Sequence, residues 1–263
     1  MKFIQKDGIN LAYEEKGQGS RSIVLIHGLG CDYKALAAQA DFFSKTHRVI
    51  SVDLRGHGES DAPKQDYTMA VYAEDIAWLC DKLRLVKPVV MGHSMGGIVA
   101  LELAARYPNL ASSVVLLHSF IFLPQTAIAL FEASFGGIDT DEDYVSTYRS
   151  GLSGTFIPAD EGPEKEHILA YYPKASRHVL ASAFRNHITE YDATSAAKGC
   201  RVPVAHLGDV TTAYVQADLD SFQKLTPQLT RASVLESGHF ALSIVPDQVN
   251  VMLARFVALH EAK

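Results

Sequence analysis

The sequence predicts an α/β protein in which helices cover both faces of a mostly parallel sheet. Short, almost wholly apolar runs recur along the chain, and segments with helical spacing lie between them. Continuous apolar runs are typical of parallel strands, because such strands are buried on both faces. Regular alternation of strand and helix indicates a doubly wound sheet with right-handed crossovers. A chain of 263 residues is long enough for one such core with an insertion.

The first two strands are predicted as a hairpin. Residues in Lys2–Lys6 and Ile9–Glu15 alternate between apolar and polar, and Asp7-Gly8 between them is a turn pair suited to positive φ. A last strand is predicted at Ser233–Glu236. The buried strands between them are predicted at Ser22–His27, Arg48–Asp53, Pro88–Gly92, Ser113–Leu117 and Val204–Leu207.

Helices are predicted at Met69–Leu83, Gly97–Arg106, Leu219–Leu225 and Gln248–Leu259. The alternation stops between Phe120 and Gly199, where aromatic residues are scattered through helix-like pieces that glycines separate. We therefore expect a core of residues 1–119 and 200–263, with residues 120–199 inserted as a helical cap, or lid.

The composition of the chain excludes several classes of binding partner. Lys and Arg total 24 and Asp and Glu total 30, so the net charge is −6 and no broad basic surface for nucleic acid is expected. The sequence has no apolar run of about 18 residues, the length that would predict a membrane span, and its first residues do not resemble a signal peptide. Three separated cysteines favour reduced thiols in a cytoplasmic protein. We expect a monomer or homodimer that binds a small molecule and uses no cofactor or metal.

The strongest functional signal is the run Gly92-His93-Ser94-Met95-Gly96, which has the pattern G-x-S-x-G. It follows a predicted buried strand and opens a predicted helix, as a nucleophile elbow requires. A sharp strand-to-helix turn exposes the serine hydroxyl above the sheet edge and directs the positive end of the helix dipole at the reacting centre. The pattern predicts Ser94 as a catalytic nucleophile.

Two further segments complete this chemistry. His27-Gly28-Leu29-Gly30 follows an earlier buried strand, so the backbone N–H groups of Leu29 and Met95 are expected to form an oxyanion hole. His239 lies after the last predicted strand and next to a glycine, and histidine is the base best suited to activate a serine near neutral pH.

This order of motifs resembles the α/β-hydrolase superfamily. The loop Asp53–Asp61 also resembles the loop after the fourth strand of that family, and we expect its charged residues to pin loops rather than react. The resemblance covers nearly the whole chain and implies an eight-stranded sheet, with catalytic groups at the carboxyl ends of the strands. In esterase-like and C–C-hydrolase-like members an inserted cap covers the pocket. Ser94 in place of an aspartate argues against epoxide hydrolase and haloalkane dehalogenase chemistry.

The acid of the triad departs from the family pattern. The resemblance implies G-x-x-D after the seventh strand, but Thr211 stands at the acid position. Asp209 is the first choice of acid, and Glu236 is the second. The third alternative is that no carboxylate contacts the base directly, and that a water, or a hydroxyl of Thr211 or Ser119, holds the imidazole.

The end of the sixth strand, which carries the acid in some family members, has His118 and no carboxylate. His118 either lines the substrate pocket beside Gly28 or is a core histidine with its hydrogen bonds satisfied. The sequence leaves this choice open.

Together these residues predict a serine hydrolase that cleaves a small carboxylic ester or lactone through an acyl-enzyme. The scattered aromatics favour a largely apolar substrate. Three alternatives remain at this point: a C–C bond hydrolase acting on a ketone from ring cleavage, a cofactor-independent oxygenase, and a ligand-binding receptor on a hydrolase fold.

Overall fold

The computed structural model describes residues 1–208 and 213–261, with only the backbone described at 213 and 214. Eight strands are present in this part of the chain: Lys2–Lys6 (β1), Ile9–Lys16 (β2), Ser22–Ile26 (β3), Arg48–Val52 (β4), Val89–His93 (β5), Ser113–Leu117 (β6), Val204–Gly208 (β7) and Leu229–Ser233 (β8). They form one sheet in the order β1-β2-β4-β3-β5-β6-β7-β8. The pairs β1–β2 and β2–β4 are antiparallel, and all other pairs are parallel. The predicted mostly parallel eight-stranded sheet is confirmed.

The α-helices of the described residues are Ala37–Phe43 (α1), Met69–Lys82 (α2), Met95–Arg106 (α3), Gln125–Phe135 (α4), Tyr144–Ser153 (α5), Pro163–Tyr171 (α6), Arg177–Phe184 (α7), Thr194–Gly199 (α8), Ala213–Leu225 (α9), Ala241–Ile244 (α10) and Pro246–His260 (α11). Two apolar clusters lie on opposite faces of the sheet. Val24 and Ile26 of β3 pack with residues of α2, α3, α8 and α9, whereas Ile23 and Leu25 pack with residues of α1, α10 and α11. Burial of alternate residues on both faces explains why the central strands are apolar throughout. Among the described residues, no helix has both the length and the apolar character needed to cross a membrane.

The last strand was predicted in the wrong place. The apolar pair Val234-Leu235 favoured a strand at Ser233–Glu236, but β8 is Leu229–Ser233 and Leu235 is 71% exposed. β8 is the edge strand of the sheet, so it needs no continuous apolar run and carries polar residues instead. Glu236 lies beyond it, exposed, on a turn with φ of 51°.

Between β6 and β7 the described chain forms helices without a strand. Helix α8 packs against α3, and Ala196 and Ala197 share an apolar cluster with Val99 of α3. α8 therefore covers the sheet as a crossover helix. Helices α4, α5 and α7 instead supply one wall of a cavity at the carboxyl ends of the strands.

The loop after β4 ties neighbouring segments together. The buried carboxylate of Asp53 accepts hydrogen bonds from the backbone N–H groups of Tyr33 (2.7 Å) and Glu59 (2.9 Å). Arg55 donates two hydrogen bonds to the buried Asp75 of α2, at 2.8 and 2.6 Å. These charged residues hold loops in place, as the sequence led us to expect.

Candidate active site

Ser94 lies on the sharp turn between β5 and α3. Its backbone has φ of 53° and ψ of −119°, a conformation that non-glycine residues rarely adopt. A Cβ at Gly92 would overlap the Gly96 carbonyl, and one at Gly96 would overlap the Ile26 carbonyl of β3. The two glycines of the motif are therefore required for the elbow to close, and the serine side chain faces the cavity.

Neighbouring strands hold the elbow. The N–H of Ser94 donates to the Leu117 carbonyl at 2.8 Å, and the hydroxyl of Ser119 donates to the Ser94 carbonyl at 2.7 Å. Ser119 was one alternative for holding the imidazole, and its hydroxyl is instead used to support the nucleophile turn.

His239 lines the same cavity as Ser94. Its ring lies 4.7 Å from that of His93 and 6.0 Å from that of His118, measured between ring centroids. Burial, and then the neighbouring histidines, lower the pKa of His239 well below its usual value. The imidazole is therefore neutral near pH 7, which is the form that accepts a proton from a serine.

The predicted oxyanion turn also borders the cavity, through Gly28 and Leu29. The Gly28 carbonyl accepts hydrogen bonds from Nδ1 of His27 (2.8 Å) and from the N–H of Cys31 (3.2 Å). Because the peptide unit is planar and trans, fixing this carbonyl also fixes the direction of the Leu29 N–H. Met95 is the first residue of α3, where a backbone N–H has no partner within the helix.

The third member of the predicted triad is not located by the described residues. Asp209, and Thr211 with it, lies outside them. Glu236 is exposed on the turn after β8. His118 follows β6 with φ of 48° and borders the cavity, so the structure brings it to the site.

The cavity has a volume of about 260 Å³. Among the described residues that line it, none is Lys, Arg, Asp or Glu. Aromatic and aliphatic side chains form most of the wall: Phe120, Phe131, Phe135, Leu152, Ile157, Phe184, Ile188, Val215 and Phe240.

Five histidines contribute to the described polar lining: His93, His118, His187, His206 and His239. Burial lowers the pKa of His93, His187 and His206 to about 4 and that of His118 to about 3, so these imidazoles are neutral at pH 7. Nε2 of His118 and both ring nitrogens of His187 have no hydrogen-bond partner within the described part of the chain. Among the same residues no group of three or more His, Cys, Asp or Glu side chains is arranged to hold a metal ion.

The sequence did not single out His187, Tyr148 or Asp160, which the structure brings to the site. His187 and Tyr148 line the cavity, and Asp160 binds the turn that carries His239. All three lie in the helical segment between β6 and β7. That segment has no motif of its own, so only the tertiary structure reveals them.

A sequence profile of the α/β-hydrolase fold matches residues 21–159, more than half of the chain. The chain therefore belongs to the α/β-hydrolase family, as the resemblance of its motifs implied. It is 27% identical over 259 residues to 2-(acetamidomethylene)succinate hydrolase of Mesorhizobium japonicum, an alignment that covers 95% of this chain and 92% of that protein. The chain spans about a third of the length of other curated relatives, which match it over 114 to 119 residues.

Solved structures resemble this one over its full length. An esterase from Thermogutta terrifontis superposes with a TM-score of 0.85 at 22% identity, with all of both chains covered. The enol-lactonase from Burkholderia xenovorans LB400 superposes with a TM-score of 0.84 at 22% identity, covering 98% of this chain and 100% of that one. At this identity the likeness establishes the fold.

Acid is expected to destabilise the protein. The folded state keeps five buried imidazoles neutral down to pH 3–4: His57, His93, His118, His187 and His206. Their pKa values in the unfolded chain are near 6.5, so below that pH the unfolded state binds more protons and stability falls. Each imidazole should lower the free energy of unfolding by about 2 kcal/mol between pH 7 and pH 5. Urea unfolding at both pH values measures the change.

A matched pair of variants identifies the source of this loss. His187→Phe removes one buried imidazole and should reduce the loss of unfolding free energy by about 2 kcal/mol. His178→Phe, at an exposed position, should leave it unchanged. Unfolding free energies that are equal at pH 7 and pH 5 in the wild type would contradict the prediction.

Proposed function

We propose that the protein is a serine hydrolase that cleaves a small, uncharged carboxylic ester or lactone. The observation that carries this proposal is the strained elbow of Ser94, which opens into a cavity shared with a neutral His239 and the Leu29 turn. Hydrolase relatives over the full length of the chain support the same class of reaction.

The mechanism follows from these groups. Ser94 Oγ attacks the carbonyl carbon of the substrate while His239 accepts the hydroxyl proton. The N–H groups of Leu29 and Met95 stabilise the oxyanion, and the dipole of α3 adds to this effect. His239 then returns the proton to the leaving alkoxide, which departs as an alcohol. A water activated by His239 hydrolyses the acyl-enzyme, releases the carboxylic acid and restores Ser94.

The charge of the cavity supports an uncharged substrate. Moving a carboxylate from water into an uncharged site costs several kcal/mol unless a cation or several donors compensate for it. The described lining offers neutral imidazoles, hydroxyls and aromatic rings. We therefore propose a neutral acyl group, in contrast to the dicarboxylic succinate skeleton named in the Mesorhizobium relative. In this proposal the helices between β6 and α8 act as the cap of the pocket.

Ser94→Ala should lower kcat for p-nitrophenyl butyrate by at least about 10³-fold, because the acyl-enzyme can no longer form. A fluorophosphonate probe should label the wild type at Ser94 and leave the variant unlabelled. Ser221→Ala, an exposed serine on α9, serves as the control and should keep full labelling. Labelling at another residue of the wild type, or undiminished turnover by Ser94→Ala, would exclude Ser94 as the nucleophile.

We retain Asp209 as the proposed acid, and Glu236 offers a matched comparison. If Asp209 orients His239, Asp209→Asn should favour the wrong imidazole tautomer and lower kcat by about 10³- to 10⁴-fold. Glu236→Gln should have little effect, because this side chain is exposed on the turn after β8. Near-wild-type kcat in Asp209→Asn would remove Asp209 from the triad.

Substrate charge is tested with two esters whose acyl chains have the same length. p-Nitrophenyl butyrate should exceed p-nitrophenyl hemisuccinate by at least about 100-fold in kcat/KM, because the second ester adds an uncompensated carboxylate. Methyl p-nitrophenyl succinate restores neutrality at greater length and should recover most of the activity. Equal rates for the butyrate and the hemisuccinate would contradict an uncharged acyl site.

A further inference from the structure

We propose that Tyr148 and Asp160 are positioning residues of the active site, which hold the oxyanion turn and the His239 turn in register with each other. Both side chains belong to residues 148–160 of the helical segment, called here the clamp. The inference rests on the proposed serine-hydrolase function, and it gives the clamp a role in catalysis beyond covering the pocket.

Tyr148 of α5 is 1% exposed, and its hydroxyl donates a hydrogen bond of 2.8 Å to the Leu29 carbonyl. Burial raises the pKa of this phenol well above its usual value, so the hydroxyl stays protonated and keeps donating. The preceding carbonyl, that of Gly28, is held by His27 and Cys31. Hydrogen bonds therefore fix the peptide groups on both sides of Leu29. The clamp supplies one of these contacts, the hydrogen bond from Tyr148.

Asp160 is 2% exposed and binds the turn just before His239. Its carboxylate accepts hydrogen bonds from the Gly238 N–H (3.0 Å) and the Ser237 hydroxyl (3.1 Å), and from the N–H of Ile157 within the clamp (2.9 Å). A Cβ at position 238 would lie 2.6 Å from this carboxylate, so the approach requires glycine.

The clamp also binds His239 itself, because the Thr155 carbonyl accepts a hydrogen bond from its N–H at 3.1 Å. The contacts from Asp160 and Thr155 reach the backbone and one hydroxyl of the turn. They fix the backbone from which the His239 side chain extends. They do not reach the imidazole, so the acid of the triad is a different group. Asp160 is therefore a positioning residue.

One short stretch of chain thus joins two groups that are 210 residues apart in sequence. The N–H of Leu29 stabilises negative charge in the proposed reaction, and His239 moves the proton. Their separation must be correct within a fraction of an ångström, since a misplacement of about 1 Å can cost about 100-fold in rate. Two further hydrogen bonds, from outside the clamp, hold the oxyanion turn. The N–H of Lys174 donates to the Gly30 carbonyl at 2.7 Å, and the Tyr171 hydroxyl donates to Asp32 at 2.7 Å.

The first test is Tyr148→Phe, which keeps the ring and removes the hydroxyl. With p-nitrophenyl butyrate, kcat should fall about 10-fold while KM changes less than about twofold, because positioning acts on the transition state. The rate of fluorophosphonate labelling at Ser94 should fall by a similar factor. Tyr144→Phe, on the same helix and partly exposed, is the matched control and should retain wild-type rates.

The second test is Asp160→Asn. This change leaves one acceptor oxygen for the three donors that the carboxylate binds in the wild type. It should lower kcat about 10-fold or more, and Ser237→Ala, which removes one of the same hydrogen bonds, should lower it by a smaller factor. Asp139→Asn, exposed on the turn that follows α4, is the control. Ser237→Ala also tests the contact if Asp160→Asn does not fold.

Two readouts separate positioning from simple loss of folded protein. Rates are divided by the number of competent sites, counted from the burst of p-nitrophenol. Hydrogen exchange, followed by mass spectrometry, should be at least about 10-fold faster at residues 28–32 in Tyr148→Phe and at residues 236–241 in Asp160→Asn. Wild-type kcat per competent site in both variants, or unchanged exchange at both turns, would overturn the proposal.

The failure of the proposed function has a different signature. A wild type that neither hydrolyses neutral esters nor reacts with the fluorophosphonate would refute the serine-hydrolase mechanism. In that case unchanged exchange at the two turns in the variants still overturns the clamp, and faster exchange still supports it as the element that holds both turns.

Discussion

The close approach of β5 to the start of α3 is the constraint on which the site depends. The chain turns at Ser94 within the space left by two glycines, and the backbone there adopts a conformation that costs of the order of 1–3 kcal/mol. A hydrogen bond from the Ser94 N–H to the Leu117 carbonyl of β6, and one from the Ser119 hydroxyl to the Ser94 carbonyl, hold this strained turn. The turn brings the Ser94 side chain to the cavity, and α3 begins at the next residue, Met95. The Leu29 turn, His118 and the His239 turn follow other strands of the sheet, whose carboxyl ends meet at this edge.

In the proposed mechanism the cavity stabilises charge with oriented dipoles, since its described lining has no formal charge. Buried imidazoles remain neutral because the surroundings cannot solvate their cations. The same surroundings strengthen the interaction of an oxyanion with backbone N–H groups and with the helix dipole. In the proposed mechanism a low-polarity cavity keeps His239 unprotonated and strengthens the oxyanion hole, and both effects favour acyl transfer from a neutral substrate.

Sequence patterns predicted those parts of the site that local geometry determines. The elbow of Ser94 and the glycine-rich turn at Leu29 each follow a buried apolar strand, so a few adjacent residues fix the backbone. The edge strand β8 was misplaced because an edge strand needs no continuous apolar run. The predicted strand also included Glu236, which instead lies on an exposed turn. The acid at Asp209 remains a prediction from sequence.

Tyr148 and Asp160 escape sequence reasoning because their partners lie 119 and 78 residues away along the chain. No local periodicity encodes such a contact.

The position of β8 at the edge of the sheet gives the Asp160 contacts a physical reason. A central strand has a neighbour on each side, so the loop that follows it is supported from both directions. Within the described part of the chain β8 pairs only with β7, and the turn that carries His239 follows this edge strand. Residues 155–160 supply hydrogen bonds to that turn from the helical segment, directly before the imidazole. Under the proposed mechanism the base therefore gains from the inserted segment the support that the sheet does not give it. The proposed clamp makes the segment part of the catalytic framework, so its removal would release His239 as well as open the pocket.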